Sequence, residues 1–319
     1  MLCCYNKLKG EIFLKRLLDF TASDFLNVKP LELKQAILAS EGRTIMVENV
    51  PSHPPFLNGV TNAELERAAG ADLLLLNALD IFHPQVLGMP EGVSENPIRW
   101  LKKATGRSLG INLEPVDLEA QMNQQRAEIS IGRIVSPKTL KKASELGFDF
   151  ICLTGNPGTG VSNSAIKDAI KLSHQYFDGL IIAGKMHGAG VQEPVMNLNI
   201  AKEFIELGID ILLVPAPYTV PQFMEQDLRE IVDYVREYNA DKEIQDKVLV
   251  LTANGTSQDS SDKETIKKIG LASKACGADL QHIGDSFNGI CLPENIFYLG
   301  QAIRGYRHQM IMLGRSNIR

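Results

Sequence analysis

Four times along the chain a helix-like stretch ends in Gly-x-Asp and runs directly into a short apolar segment. The copies are Gly70-Ala71-Asp72 before LLLLN, Gly147-Phe148-Asp149 before FICLTG, Gly208-Ile209-Asp210 before ILLVPA, and Gly277-Ala278-Asp279 before LQHIGD. Glycine suits the left-handed turn that closes a helix, and a short apolar run between turn residues suits a strand buried on both faces. Each interval between copies holds one further strand–helix unit. The resulting eight strands are predicted at 44–50, 72–79, 108–116, 148–154, 179–184, 210–216, 247–253 and 279–284. Eight such units of even length predict a closed (β/α)8 barrel of the α/β class, with an open doubly wound sheet as the alternative.

The repeat divides the chain into a helical N-terminal extension (1–43), the barrel (44–303) and a C-terminal tail (304–319). The extension, PLELKQAILASE included, is expected to plug the barrel bottom or to pack on a neighbouring subunit. The tail, rich in Arg304, Arg307, Arg315 and Arg319, is expected to be a solvated helix with dimer contacts. At 319 residues and 44% hydrophobic content a large core is available, and a barrel of this size forms a single domain. A charged fraction of 22% and a net charge of −5 give no reason to expect nucleic acid or an anionic membrane as partner. The five cysteines, among them the adjacent Cys3 and Cys4, lack metal-ligand spacing. With no signal peptide and no membrane-spanning apolar run, a cytoplasmic homo-oligomer is expected.

Barrel enzymes carry their chemistry at the C-terminal ends of the strands. Polar residues at those ends include Glu48, Asn77, Asp80, Asn112, Glu114, Thr154, Asn156, Lys185, His187, Thr252, Asn254, His282 and Asp285. Lys185 closes an apolar strand, where burial can lower its pKa and make it a base, a Schiff-base former or an anchor for an anion; the alternative is a structural pair with Glu48 or Glu114. His187 would shuttle a proton beside it. Glu48, Glu114 and Asp285 would serve as acid–base groups, and Glu114 with Asp285 as oxygen ligands of Mg2+. The loops after strands 7 and 8 offer Gly255, Thr256, Ser257 and Gly284 as an anion cradle, with Asn156 in the glycine-rich loop TGNPGTGVSNS as a second place. Ser261-Asp262-Lys263-Glu264 reads as a capping box, and the polar stretch from Asp117 to Pro137 as a candidate lid.

The runs LLDFTASDFLNV, GINLEPVD, LTGNPGTGVSN, IIAGKMHGAG, ILLVPAPYTVP and HIGDSFNGICLPEN make nearly the whole chain resemble a bacterial barrel family labelled phosphoenolpyruvate phosphonomutase-like or haloacid dehalogenase-like. The first label implies a barrel that binds Mg2+ and small oxyacids. Lys185-Met186-His187-Gly188 is similar to the Lys-Cys-Gly-His loop of isocitrate lyases, with Met186 in place of the catalytic cysteine, and the Asp-x-Asp-x-Gly metal segment is absent. The second label implies a phosphoaspartyl motif. The nearest match, Leu17 to Ser23, has Thr21 where the second Asp stands and precedes the barrel, so a helix start capped by Thr21 or Ser23 fits it better.

These readings converge on an enzyme acting on a small anionic metabolite, a phosphorylated or 2-oxo acid, by lyase or isomerase chemistry. A metal-assisted hydrolase at the same mouth and a non-catalytic ligand-binding or assembly barrel are the alternatives.

Overall fold

Each predicted apolar run forms a strand: β1 (Thr44–Asn49), β2 (Leu73–Leu76), β3 (Ser108–Asn112), β4 (Phe150–Leu153), β5 (Leu180–Gly184), β6 (Ile211–Pro215), β7 (Leu249–Asn254) and β8 (Leu280–Ile283). In the computed structural model, which describes residues 15–93 and 96–319, they pair in parallel and in sequence order, and β8 closes on β1. The helices are α1 (Ala22–Asn27), α2 (Pro30–Leu38), α3 (Asn62–Ala69), α4 (Pro97–Thr105), α5 (Pro137–Leu146), α6 (Asn163–Tyr176), α7 (Leu198–Glu206), α8 (Glu225–Asn239), α9 (Lys263–Cys276) and α10 (Pro293–Gly314). The fold is therefore a (β/α)8 barrel. The helical reading of residues 1–14, and Cys3 and Cys4 within it, lie outside the described residues.

The Gly-x-Asp copies form a fourfold clasp at the N-terminal ends of the strands. The glycines take the positive φ that stops each helix: 120° at Gly70, 87° at Gly147, 83° at Gly208 and 102° at Gly277. Each aspartate then turns back to the preceding strand. Asp72 accepts from Ile45 N–H (2.8 Å), Asp149 from Leu109 (2.9 Å), Asp210 from Ile181 (2.9 Å) and Asp279 from Val250 (2.8 Å). In return, each aspartate N–H donates to the carbonyl of that same residue. Cations complete the clasps: Arg304 on Asp72 (2.8 Å), Lys102 on Asp149 (2.5 Å) and Lys34 on Asp210 (2.8 Å). Burial lifts the Asp279 carboxyl to about 6, against the opposing pull of Val250 N–H and nearby Arg236. The repeat thus stitches odd strands to even ones in pairs.

Side chains alternate across every strand. One set, including Met46, Leu73, Leu75, Phe150, Cys152, Ile182, Leu213, Leu251 and Leu280, packs together as the barrel interior. Gly110 makes room there for the Phe150 ring, which a Cβ would strike. Phe25, Leu33 and Ile37 of α1 and α2 join this interior cluster, so the short helices plug the bottom. The other set, including Ile45, Val47, Leu74, Ile151, Ile181, Ala183, Leu212 and Val250, packs under the outer helices.

Thr21 stands at the N-cap of α1, with the Asp24 carboxylate accepting from its N–H (2.6 Å), while Leu17–Asp19 is a single 3-10 turn. This segment is a helix start, not the strand that a dehalogenase-like motif requires. The C-terminal segment is solvated along much of its length, but it is also anchored to the barrel. The helix α10 crosses position 304, breaks at Gly305 (φ 74°) and buries Arg304, Gln309 and Met312. Arg304 and Gln309 bond to Gly70 O and Ala69 O at the first clasp.

Candidate functional site

A cavity of about 590 Å3 opens at the C-terminal mouth, walled by the ends of β1 to β5, β7 and β8 and the loops that follow them. Two carboxyl groups reach it, Glu48 from β1 and Asp285 from just beyond β8. Glu48 shares its face of β1 with Met46 and therefore points into the barrel, where it is buried with its Oε2 3.0 Å from His282 Nε2. Burial, reinforced by Asp259 and Glu114, raises Glu48 to about 8. Burial lowers His282 to about 4, so the imidazole is neutral. At neutral pH the protonated Glu48 donates to Nε2 of the neutral ring, whose own proton is then on Nδ1. His282 Nδ1 is buried without a partner.

Asp285 is raised to about 7, first by burial and then by Glu48, against a hydrogen bond from Asn77 Nδ2 (3.0 Å) that lowers it. Asn77 is the hub of an amide network. Its Oδ1 accepts from Ala78 N–H (2.8 Å), Asn112 Nδ2 (3.0 Å) and Asn156 Nδ2 (2.9 Å), and its Nδ2 also reaches Asn156 Oδ1 (2.9 Å). These bonds assign the Asn112 amide: Nδ2 faces Asn77, and Oδ1 is left buried without a partner. Thr154 Oγ1, also on the cavity wall, is buried and unpartnered too. Ala78 holds a left-handed φ of 52°, a conformation costly for a residue with a Cβ.

The predicted site residues divide. His187 lines the cavity; its Nδ1 accepts from Ala189 N–H (3.0 Å), which leaves Nε2–H as its donor. Burial and Lys185 lower it to about 4, so the ring is neutral. Lys185 is not on the cavity wall. It shares its strand face with the outward Ile181 and Ala183, is buried, and pairs with Glu193, which also accepts from Asn163 N–H (2.7 Å) at the start of α6. The predicted structural pair therefore exists, but with Glu193 in place of Glu48 or Glu114. Glu114 is spent on scaffold: Arg133 (2.6 Å), Asn156 Nδ2 (2.9 Å) and Asn156 N–H (2.8 Å) take its oxygens. Asp80 caps the turn at Phe82 (2.9 Å), and Thr252 bonds Gln281 (3.1 Å) beneath the outer helices.

Gly255, Thr256 and Ser257 do reach the cavity, but the predicted cradle already holds a carboxylate of the protein. Asp259, fully buried, accepts from Ser286 N–H (3.0 Å) and from the Ser286 hydroxyl, and lies 2.9 Å from where a Cβ on Gly284 would stand. Thr256 Oγ1 is held by Thr219 O (2.7 Å), and Asn156 belongs to the amide network. The helix α9 starts at Asp262, one residue later than the box read from Ser261. Among the described residues no lysine or arginine is on the cavity wall, so the expected anionic metabolite meets no cationic side chain of theirs there. Nor do the residues fit Mg2+: Glu114 has no free oxygen, and among the described residues no three His, Cys, Asp or Glu side chains group to hold a metal.

The stretch from Asp117 to Pro137 roofs the cavity. Met122 bridges Val191, Asn123 N–H donates to Gly190 O (2.8 Å) and Ala127 N–H to Gly158 O (2.8 Å), which brings Asn123 and Gln124 to the wall. The glycines of the β4 loop thus make space for this roof: a Cβ on Gly158 would strike Gln124, and one on Gly160 would strike Arg126.

Fold and site define a barrel with an amide-rich mouth that holds two carboxyls whose pKa values are raised by burial. The chain belongs to the DUF7916 family, described as a domain of unknown function, whose model matches residues 18–319. No curated protein matches it. Among solved structures it is similar to an archaeal fructose 1,6-bisphosphate aldolase, with 14% identity, a TM-score of 0.52, and 87% of this chain and all of that one covered. A phosphonopyruvate hydrolase in complex with oxalate and Mg2+ gives 12%, 0.46, and 81% of each chain. Dihydrodipicolinate synthase from Oceanobacillus iheyensis gives 10%, 0.44, 86% of this chain and 78% of that one. At such identities the likeness shows the barrel fold alone. Among the described residues no helix is long and apolar enough to cross a membrane.

Proposed function

We propose that the protein is an acid–base enzyme of the lyase or isomerase type, acting on a small polar metabolite at the barrel mouth. One observation carries this reading: Glu48 and Asp285, from the adjoining strands β1 and β8, meet one cavity with acid strengths moved to about 8 and about 7. Carboxyls titrating near neutrality exchange protons with substrate far better than ordinary ones. Glu48 holds its proton at pH 7 and acts as the acid, recharged through His282. Asp285, oriented by Asn77, is the base. The neutral His187 Nε2–H is a donor for a developing oxyanion.

The test has two parts. Carboxyl 13C NMR should place both groups between pH 6 and 9, and values near the ordinary range of roughly 4 would overturn the reading. Incubation with a panel of small hydroxy, amino and oxo compounds in D2O should exchange deuterium into one of them. Glu48→Gln and Asp285→Asn should abolish that exchange.

A further inference from the structure

Four acids gather around the β7–β8–β1 side of the mouth: Glu48, Glu66 and Asp259, all buried, and Asp285, half-buried where it meets the cavity. Among the described residues no lysine or arginine forms an ion pair with any of them; Glu48 meets His282, Glu66 accepts from Asn49 Nδ2 (2.6 Å), and Asp259 is held by Ser286. The neighbouring charges that could compensate them are already used, Arg133 by Glu114 and Lys185 by Glu193. A second observation points to a ligand. Asn112 Oδ1 and Thr154 Oγ1 are buried on the cavity wall with no partner, and Asn112 Oδ1 can only accept. Unpaired buried acceptors are costly, and so is the part-ionised Asp285 carboxylate with no cation beside it.

We infer that the cavity takes a small primary amine bound as its ammonium ion, with N–H donors to Asp285, Asn112 Oδ1 and Thr154 Oγ1. The ammonium has three donors and no acceptor, which matches a wall that offers oxygen and lacks any lysine or arginine. It also rests on a charge the site otherwise lacks. This deepens the proposed function by naming the substrate class for the same cavity. The uncharged donor His187 remains for a hydroxyl or carbonyl elsewhere on the ligand.

Three probes of one frame and different charge test it: 2-aminoethanol, ethane-1,2-diol and glycolate, each titrated calorimetrically into the full chain at pH 7. The expected order is the amine first, about tenfold or more ahead of the diol, with glycolate weakest. Asp285→Asn should cost the amine about tenfold and the diol much less. Glu48→Gln leaves the charge at pH 7 unchanged, because Glu48 is protonated there, and should weaken the amine only above about pH 8, where the wild-type carboxyl is ionised. Because both carboxyls are partly protonated at pH 7, amine binding should also release protons, seen as a buffer-dependent heat. Tighter binding of glycolate or the diol, no binding by any probe, or an amine affinity indifferent to Asp285→Asn would overturn the inference. Amine binding without deuterium exchange would keep it and sink the acid–base reading; carboxyls titrating near 7 and 8 with no preference for amine would do the reverse.

Discussion

Glu48→Gln should make the protein more stable, and by an amount that grows with pH. In the fold the Glu48 carboxyl titrates at about 8, against 4.5 in the unfolded chain. Between those values the folded state keeps a proton that the unfolded state has released, so stability falls as pH rises from about 4.5 through about 8. At about 1.4 kcal/mol per tenfold change, the burden is under about 1 kcal/mol at pH 5, about 3 at pH 7 and about 5 at pH 9. Glutamine carries no such proton and keeps both shape and hydrogen-bonding capacity. Relative to wild type, the variant should therefore gain roughly 4 kcal/mol between pH 5 and pH 9, whatever constant offset the amide introduces. Urea midpoints at pH 5, 7 and 9 measure the difference. Two stability curves running parallel across that range would show that Glu48 titrates as an ordinary carboxylate, and the acid role would fall with it.

Other outcomes follow from the same geometry. Asp72→Ala should cost about 3–5 kcal/mol, because it strands Arg304, and should exceed the loss from Asp210→Ala, whose carboxylate is part exposed; thermal melts of both variants decide it. Ala78→Gly should be neutral or stabilising by up to about 1 kcal/mol, since glycine accepts φ 52° freely, while Ala78→Val should destabilise. Borohydride treatment with 2-oxo acids should leave Lys185 unlabelled in peptide mass spectra, because the amine is buried against Glu193. Dialysis against EDTA should leave both the melting temperature and the carboxyl titrations unmoved, whereas a fall in either would restore a resident metal.

The strands were legible because each is a continuous apolar run between turn residues, and the clasp aspartates because they recur. That same continuity hides direction. In GLIIAGK both faces of β5 are apolar, so nothing in the run says whether Lys185 faces in or out, and it faces out. Glu48 and His282 could be found because each is a lone titratable group in an apolar strand whose alternate residues fill the interior. Asp259 could not, since it sits in a loop rich in serine and aspartate where capping explains such residues equally well, and Glu193 could not, since it is a lone acid in a loop with no periodicity to give it a direction. Their partners, Ser286 and Lys185, are set by which loops the barrel closure brings side by side.

The two ends of the barrel treat carboxylates in opposite ways. At the bottom, Asp72, Asp149 and Asp210 each receive a backbone N–H and a lysine or arginine, so the charge is compensated where it holds strands together. At the mouth, Glu48, Glu66, Asp259 and Asp285 receive amides, hydroxyls and an imidazole, but no cation. A fold able to place arginine and lysine beside three aspartates elsewhere does not lack the means to pair these acids. Leaving them unpaired lowers stability near neutral pH and keeps protons available at the barrel mouth. That cost is expected where a residue is kept for chemistry and not for the fold, which is why the mouth, and not the more regular clasp, is the place to look for the substrate.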